Sequence, residues 1–206
     1  MLSLCRLYTT LLLIATSCLA TAGAFRTVVI DAGHGGKDIG GNYDKVYEKH
    51  LALDTAKRVE YMLKKKGYST KMTRTSDVFI SLQKRASIGN RYSNSIFVSI
   101  HYNYTYRKAA CGIETFYYTS RSKPLAKYVN EAVRSKTRAH NRGVKFARYY
   151  VIRNAKNPAI LFEGGFLQNT SERRAVKKGS YRQKIAEGIV QGIEKYQYAR
   201  KKGWAR

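Results

Sequence analysis

The chain has 206 residues, with 39 Lys and Arg against 13 Asp and Glu, for a formal net charge of +26. That length holds one catalytic-size domain with a short appendage, not two full domains. A 44% hydrophobic content that includes 12% aromatics excludes a disordered basic tail, because so much apolar surface can fill a core. The charge asks for an acidic partner, and composition alone does not choose among nucleic acid, anionic membrane and anionic polymer.

Residues 1–24 read as a secretory signal peptide: Arg6, an apolar run over 11–15, then Ala20-Thr21-Ala22 and Ala22-Gly23-Ala24 as cleavage sites near Ala22 or Ala24. A membrane-spanning helix needs about 20 apolar residues; this run is shorter and diluted by Thr and Ser, so no span is expected once the signal is removed. The alternatives are an uncleaved anchor and lipidation at Cys18, in the loose lipobox Ala15-Thr16-Ser17-Cys18. With Cys5 and Cys18 in the leader, Cys111 stands alone and no intramolecular disulfide is available. Export to the periplasm or cell wall argues against nucleic acid as partner. It leaves an anionic envelope polymer to face the basic surface, with a monomer sufficient.

The catalytic-size domain is expected over 25–198, followed by a frayed basic tail over 199–206. Residues 27–30 (TVVI) lack polar alternation, as in a strand buried on both faces. Residues 49–66 place Ala52, Ala56, Val59 and Leu63 on one helical face, with Gly67 as the stop. A strand follows over 68–73, and a helix over 82–92 with Ser81 as its N-cap. Residues 96–100 (IFVSI) form another buried strand, and 113–118 a strand near an edge. A helix over 123–139, strands over 145–152 and 159–162 (AILF), and a helix over 181–198 complete the pattern. Alternating strands and helices predict a single-domain α/β sandwich, with a mostly parallel, mixed central sheet flanked by helices on both faces.

The three buried strands each end in groups that bind metal or protons. TVVI runs into Asp31-Ala32-Gly33-His34-Gly35-Gly36, IFVSI into His101-Tyr102-Asn103, and AILF into Glu163-Gly164-Gly165. Ligands of open α/β sheets bind beyond the carboxyl ends of the strands, so His34, His101 and Glu163 should share one rim. Two imidazoles suit zinc, and a catalytic zinc site adds one carboxylate while leaving a position for water. Glu163 or Glu48, at the start of the first long helix, can be that carboxylate. If it is Glu48, Glu163 is free to act as general base, with its proton affinity raised by the dry strand before it. Spacing alone does not rank the two.

The stretches VVIDAGHGGKDIGG, EKHLALDTAKRV, MTRTSDVFISLQKRASIGN, FVSIHYN and ILFEGGFLQN, in this order over 28–169, resemble the zinc-dependent N-acetylmuramoyl-L-alanine amidases of type 3. The resemblance implies one Zn2+ per chain held by His34, Glu48 and His101, with Glu163 as catalytic acid/base. It also implies peptidoglycan as substrate, cut between the lactyl group of N-acetylmuramic acid and L-alanine. Arg74 and Arg85 match family positions, and structural pairing explains them as well as substrate binding does. Asn103 can donate to substrate or orient His101. Ala32 departs from the usual Pro, Tyr102 from a small residue, and Gly164 from an apolar one, so Tyr102 can reshape the substrate groove. Regulated members block the zinc with an insertion between the second His and the catalytic Glu; the interval 101–163 lacks an obvious extra helical pair, and an open site is expected.

Other features have plainer readings. His50 and His140 are expected to be ordinary polar residues, Asp31 and Asp38 to shape their loop through backbone hydrogen bonds, and Asp54 to be exposed. Tyr102, Tyr104 and Tyr106 alternate and can line a sugar groove or an edge strand. The rival functions are a non-catalytic basic wall-binding module, which leaves the ligand set unexplained, and a zinc peptidase or deacetylase with the same ligands, which product analysis separates.

Overall fold

The β-branched runs form the middle of one six-stranded sheet in the computed structural model, which describes residues 24–205. The leader over 1–23, with Cys5 and the lipidation candidate Cys18, lies outside the described residues. In chain order the elements are β1 (Thr27–Ala32), a small hairpin of β2 (Asn42–Tyr43) and β3 (Val46–Tyr47), α1 (Glu48–Lys65), β4 (Ser69–Met72), α2 (Leu82–Asn90), β5 (Ser95–Asn103), β6 (Ile113–Tyr117), α3 (Lys123–Thr137), β7 (Asn141–Phe146), α4 (Tyr150–Arg153), β8 (Ala159–Phe166), α5 (Thr170–Lys177) and α6 (Gly179–Lys201). The strand order is β4-β1-β5-β8-β6-β7. Every neighbouring pair is parallel except β6–β8. The fold is therefore the expected mixed, mostly parallel α/β sheet packed against helices.

Local signals account for most boundaries. The α1 side chains Ala52, Ala56, Val59 and Leu63 are completely buried. Gly67, at φ +81°, ends the helix, with Gly67 N–H donating to the Lys64 carbonyl and Tyr68 N–H to that of Leu63. This is the paired closure that a left-handed residue after a helix permits. Ser81 caps α2 by accepting from the Lys84 N–H.

Alternation along the strands divides the interior in two. Val28, Ile30, Ile96, Val98, Ile100, Tyr102, Ile160 and Phe162 face a large core shared with Leu63, Leu125, Val129, Ile189 and Ile193 of α1, α3 and α6. The intervening Val29, Phe97, Leu161 and Phe116 join Val151 and Ile152 of α4 in a smaller cluster on the opposite face. At about 1.5–3 kcal/mol per fully buried aliphatic side chain, the large core dominates stability.

Three expectations are corrected. The strand expected over 145–152 is displaced: β7 begins at Asn141 and ends at Phe146, and 150–153 form the helical turn α4. Val151 and Ile152 are adjacent yet both enter the small cluster, which a strand's alternation forbids. Sequence reading also missed α5, whose cap is the Asn169 side chain accepting from the Ser171 and Glu172 N–H groups. The tail boundary at 198/199 falls inside a helix, since α6 runs to Lys201 and Ala199 and Ala205 are buried. Among the described residues, no helix is long and apolar enough to cross a membrane.

Candidate metal centre

On the face covered by α2 and α4 the strand residues turn polar towards their carboxyl ends. Register pairs Asp31 with Ser99, and His101 with Glu163, which pairs in turn with Glu114. Paired residues share a face, so His101, Glu163 and Glu114 form one rung. A cavity of about 470 Å³ opens there, lined among others by His34, Glu48, Tyr104 and Tyr149.

The hairpin β2–β3 delivers Glu48, the first residue of α1, back to this rim. Its Oε1 lies 3.1 Å from His34 Nε2 and 2.8 Å from His101 Nδ1, and His34, Glu48 and His101 each offer a ligand atom within 4.8 Å of the others. His34 Nδ1 faces both carboxylate oxygens of Asp38 at 2.9 Å. That contact places a proton on Nδ1 and leaves Nε2 as the ring nitrogen that faces the cluster. Glu48 is held by the Tyr102 N–H on Oε1 and the Gly41 N–H on Oε2. Two nitrogens and one carboxylate oxygen at a single point fit a divalent metal of the zinc type. Of the two carboxylates open at the sequence level, Glu48 joins the imidazoles and Glu163 does not. Gly33 allows the close approach: a Cβ there would stand 2.4 Å from His101 Cε1.

Electrostatics separate the two carboxylates. Burial disfavours the Glu48 anion, but hydrogen bonds and charge from His101 and His34 outweigh it and hold its pKa far below the usual range. Burial likewise opposes the charged His34 ring, yet Glu48 and Asp38 raise its pKa. Among the described residues Glu163 has no such partner. Burial first, then the Glu48 and Glu114 charges, raises it well above the ordinary carboxylate value. Its Oε2 is buried without a hydrogen-bond partner among the described residues. The expected rise in its proton affinity is thus present.

The remaining site candidates divide. Arg85 pairs with the fully buried Asp31 at 2.8 Å and donates to the carbonyls of Ala32, His34 and Ile80. Arg74 donates to those of Ala32, Gly33, Lys49 and Ser76. Both arginines therefore hold the His34 loop, and Arg85 also lines the cavity. Asp31 accepts from the side chains of Arg85, Thr73 and Ser99 rather than from backbone, while Asp38 does accept from the Gly40 N–H. Asn103 donates to Glu114, not to His101. Tyr102 adjoins the cavity, but its ring packs into the large core, 1% exposed and hydrogen-bonded to Thr55 Oγ1 at 2.6 Å. Tyr104 also lines the cavity, while Tyr106 is 93% exposed and does not. His50 and His140 stay outside the cluster, and Asp54 pairs with Arg58 and Arg182.

Sequence reading missed Asp38 as the partner of His34, and Glu114 altogether. Their signals were the i+4 spacing and a lone carboxylate in the otherwise uncharged strand IETFY. The elements between His101 and Glu163 leave the cluster open, with the His34 and His101 side chains 23% and 15% exposed.

The family model for N-acetylmuramoyl-L-alanine amidase matches residues 28–195. Probable cell wall amidase LytH of Staphylococcus aureus is 34% identical over 174 residues, a match taking in 83% of this chain and 58% of that protein, so the chain spans well under two thirds of that relative's length. Among solved structures, N-acetylmuramoyl-L-alanine amidase from Clostridium difficile 630 is 39% identical with a TM-score of 0.80, over 84% of this chain and 97% of that one. The catalytic domain of CwlV, an N-acetylmuramoyl-L-alanine amidase from Bacillus (Paenibacillus) polymyxa var. colistinus, is 36% identical with a TM-score of 0.81, over 83% and 97%. With its fold, its rim of ligands and these matches in agreement, the chain belongs to the N-acetylmuramoyl-L-alanine amidase family.

Proposed function

We propose that this protein is an exported, zinc-dependent peptidoglycan hydrolase that cleaves the amide between the N-acetylmuramic acid lactyl group and L-alanine. The observation that carries the reading is the convergence of His34, Glu48 and His101, with Glu163, whose Oε2 is buried without a hydrogen-bond partner among the described residues, in the same cavity. His34, Glu48 and His101 would hold zinc, which when bound would supply a Lewis acid for the scissile carbonyl and for a water. Asp38 keeps His34 in the tautomer that faces the metal. Glu163 accepts the proton of the attacking water at Oε2. As the carbon–nitrogen bond breaks, it gives that proton to the departing alanine nitrogen.

Export rests on the leader-like residues 1–24 and on the likeness to a cell wall amidase. The charge of +26 then serves to hold the enzyme on an anionic envelope polymer, and salt should weaken its binding to sacculi. Mass spectrometry of sacculus digests tests the reaction. Intact disaccharides and free L-alanine amines, abolished by chelator and restored by zinc, are expected. Cut glycan, deacetylated sugars or cut cross-links would assign another hydrolase, and binding without products would assign a wall-binding module.

A further inference from the structure

Asn103 follows His101 by two residues on β5 and so shares its face of the sheet, at the cavity wall. Its Nδ2 donates to Glu114 Oε1 at 2.7 Å. The other oxygen of Glu114 accepts from Arg142 Nε at 2.9 Å and from Lys145 Nζ at 2.5 Å. Glu114 is 4% exposed, and its carboxylate, with two cations on one oxygen, can only accept hydrogen bonds. The amide of Asn103 therefore cannot turn over, because its oxygen would face a carboxylate. Among the described residues no donor is bonded to its Oδ1, which is left in the cavity as a fixed acceptor.

We propose that Asn103 Oδ1 receives an N–H on the leaving side of the scissile bond, and that Glu114, pinned by Arg142 and Lys145, is the positioning residue that fixes this orientation. The inference rests on the amidase reading above and adds a recognition element to the same site. Its chemistry selects an amide followed by a peptide, whose N–H groups need an acceptor, over an ester or an N-alkylated chain. Once substrate covers this acceptor, a substrate that cannot fill it is penalised. It reverses the role open at the sequence level, since Asn103 offers the substrate an oxygen rather than a donor.

The test compares wild type and Asn103→Ala on three soluble muramoyl-peptides: the parent amide, an ester in which L-lactate replaces L-alanine, and an analogue N-methylated at the next peptide bond. On the parent, Asn103→Ala should lower kcat/KM roughly tenfold, the worth of one substrate hydrogen bond. On the analogue lacking the recognised N–H, wild type and variant should agree within about twofold, since that contact is already absent. Each ratio is read within one pair of protein preparations, so a loss of folded fraction would shift all three alike. An equal loss on all three substrates, or none on the parent, overturns the proposal. Failure of the wild-type protein to cut the parent amide would instead overturn the amidase reading, and this proposal with it.

Discussion

The two faces of the central sheet are written in alternate residues of the same strands, yet one is sealed and the other becomes a site. On the α1, α3 and α6 side the sequence is apolar to the strand ends: Val28, Ile30 and Ala32, then Ile96, Val98, Ile100 and Tyr102. On the α2 and α4 side it begins apolar, with Val29, Phe97 and Leu161, and finishes as Asp31, Ser99, His101, Asn103 and Glu163. The helices above differ to match. The sealed face lies under helices of 18, 15 and 23 residues, whereas α2 has 9 and α4 has 4. Short cover over polar strand ends leaves a cavity whose floor is still dry, and a dry floor is what raises Glu163.

The comparison breaks first at Glu163. On the proposed function, Glu163→Gln should lower hydrolysis by about 10²- to 10⁴-fold, the usual contribution of a general acid/base, while leaving the His34, Glu48 and His101 cluster in place. Bound zinc by mass spectrometry, beside turnover, separates the two effects. The same substitution should act on stability with the opposite sign. Glu163 has a folded pKa above its unfolded one, so its contribution is fully present below the unfolded pKa and is lost as pH rises through the folded value. Without zinc, the Gln variant should therefore gain on wild type in urea unfolding between pH 5 and pH 8. A gap that stays constant or narrows would place Glu163 in a wetter environment than this face provides.

Next in size is the polar anchor of the open face. Arg85 and Asp31 form a buried pair that also grips the carbonyls on either side of Gly33. Breaking such a pair leaves an uncompensated buried charge, at a cost of about 3–5 kcal/mol. Arg85→Ala should show that loss in urea unfolding and should weaken zinc binding by releasing the His34 loop. A loss confined to stability would mean that Arg74 alone positions the loop. On the sealed face, Leu125→Ala should cost about 2–5 kcal/mol as a cavity while turnover per folded molecule stays unchanged. A fall in turnover there would show that the faces are mechanically coupled.

Much of this asymmetry was legible in the sequence, for a physical reason. A strand buried on both faces shows as an unbroken apolar run, and His or Glu at the end of such a run has few roles outside a site. That reasoning found His34, His101 and Glu163. It could not rank Glu48 against Glu163, because the distance between them depends on how the 42–47 hairpin returns the chain to the rim. It misplaced 145–152, where Val151 and Ile152 have strand-like side chains but a helical turn lets both face one cluster. Glu114 escaped notice because its three partners come from β5 and β7, and no spacing along the chain announces a contact across strands.

The smallest predicted effect tests whether the faces are independent at their shared edge. Tyr102 and Gly164 both depart from the pattern of the resembling family, one larger than usual and the other smaller, and they are neighbours in space. A Cβ on Gly164 would stand 2.7 Å from Tyr102 Cε1. The ladder slips here, since His101 pairs with Glu163 but Asn103 with Phe166, so Tyr102 faces both Gly164 and Gly165. The two departures are thus one exchange of volume across the β5–β8 pair. Gly164→Ala should overpack this spot and cost about 1–3 kcal/mol, yet become nearly neutral in a Tyr102→Ala background, a coupling that a double-mutant cycle measures. Tyr102→Phe, which keeps the ring but loses the bond to Thr55, should not relieve the clash. Additive losses would mean that the backbone at the bulge absorbs the methyl group. If the coupling holds, turnover should fall with Gly164→Ala as well, because Tyr102 and Gly164 adjoin His101 and Glu163 in their strands and a backbone shift at this edge moves both faces there.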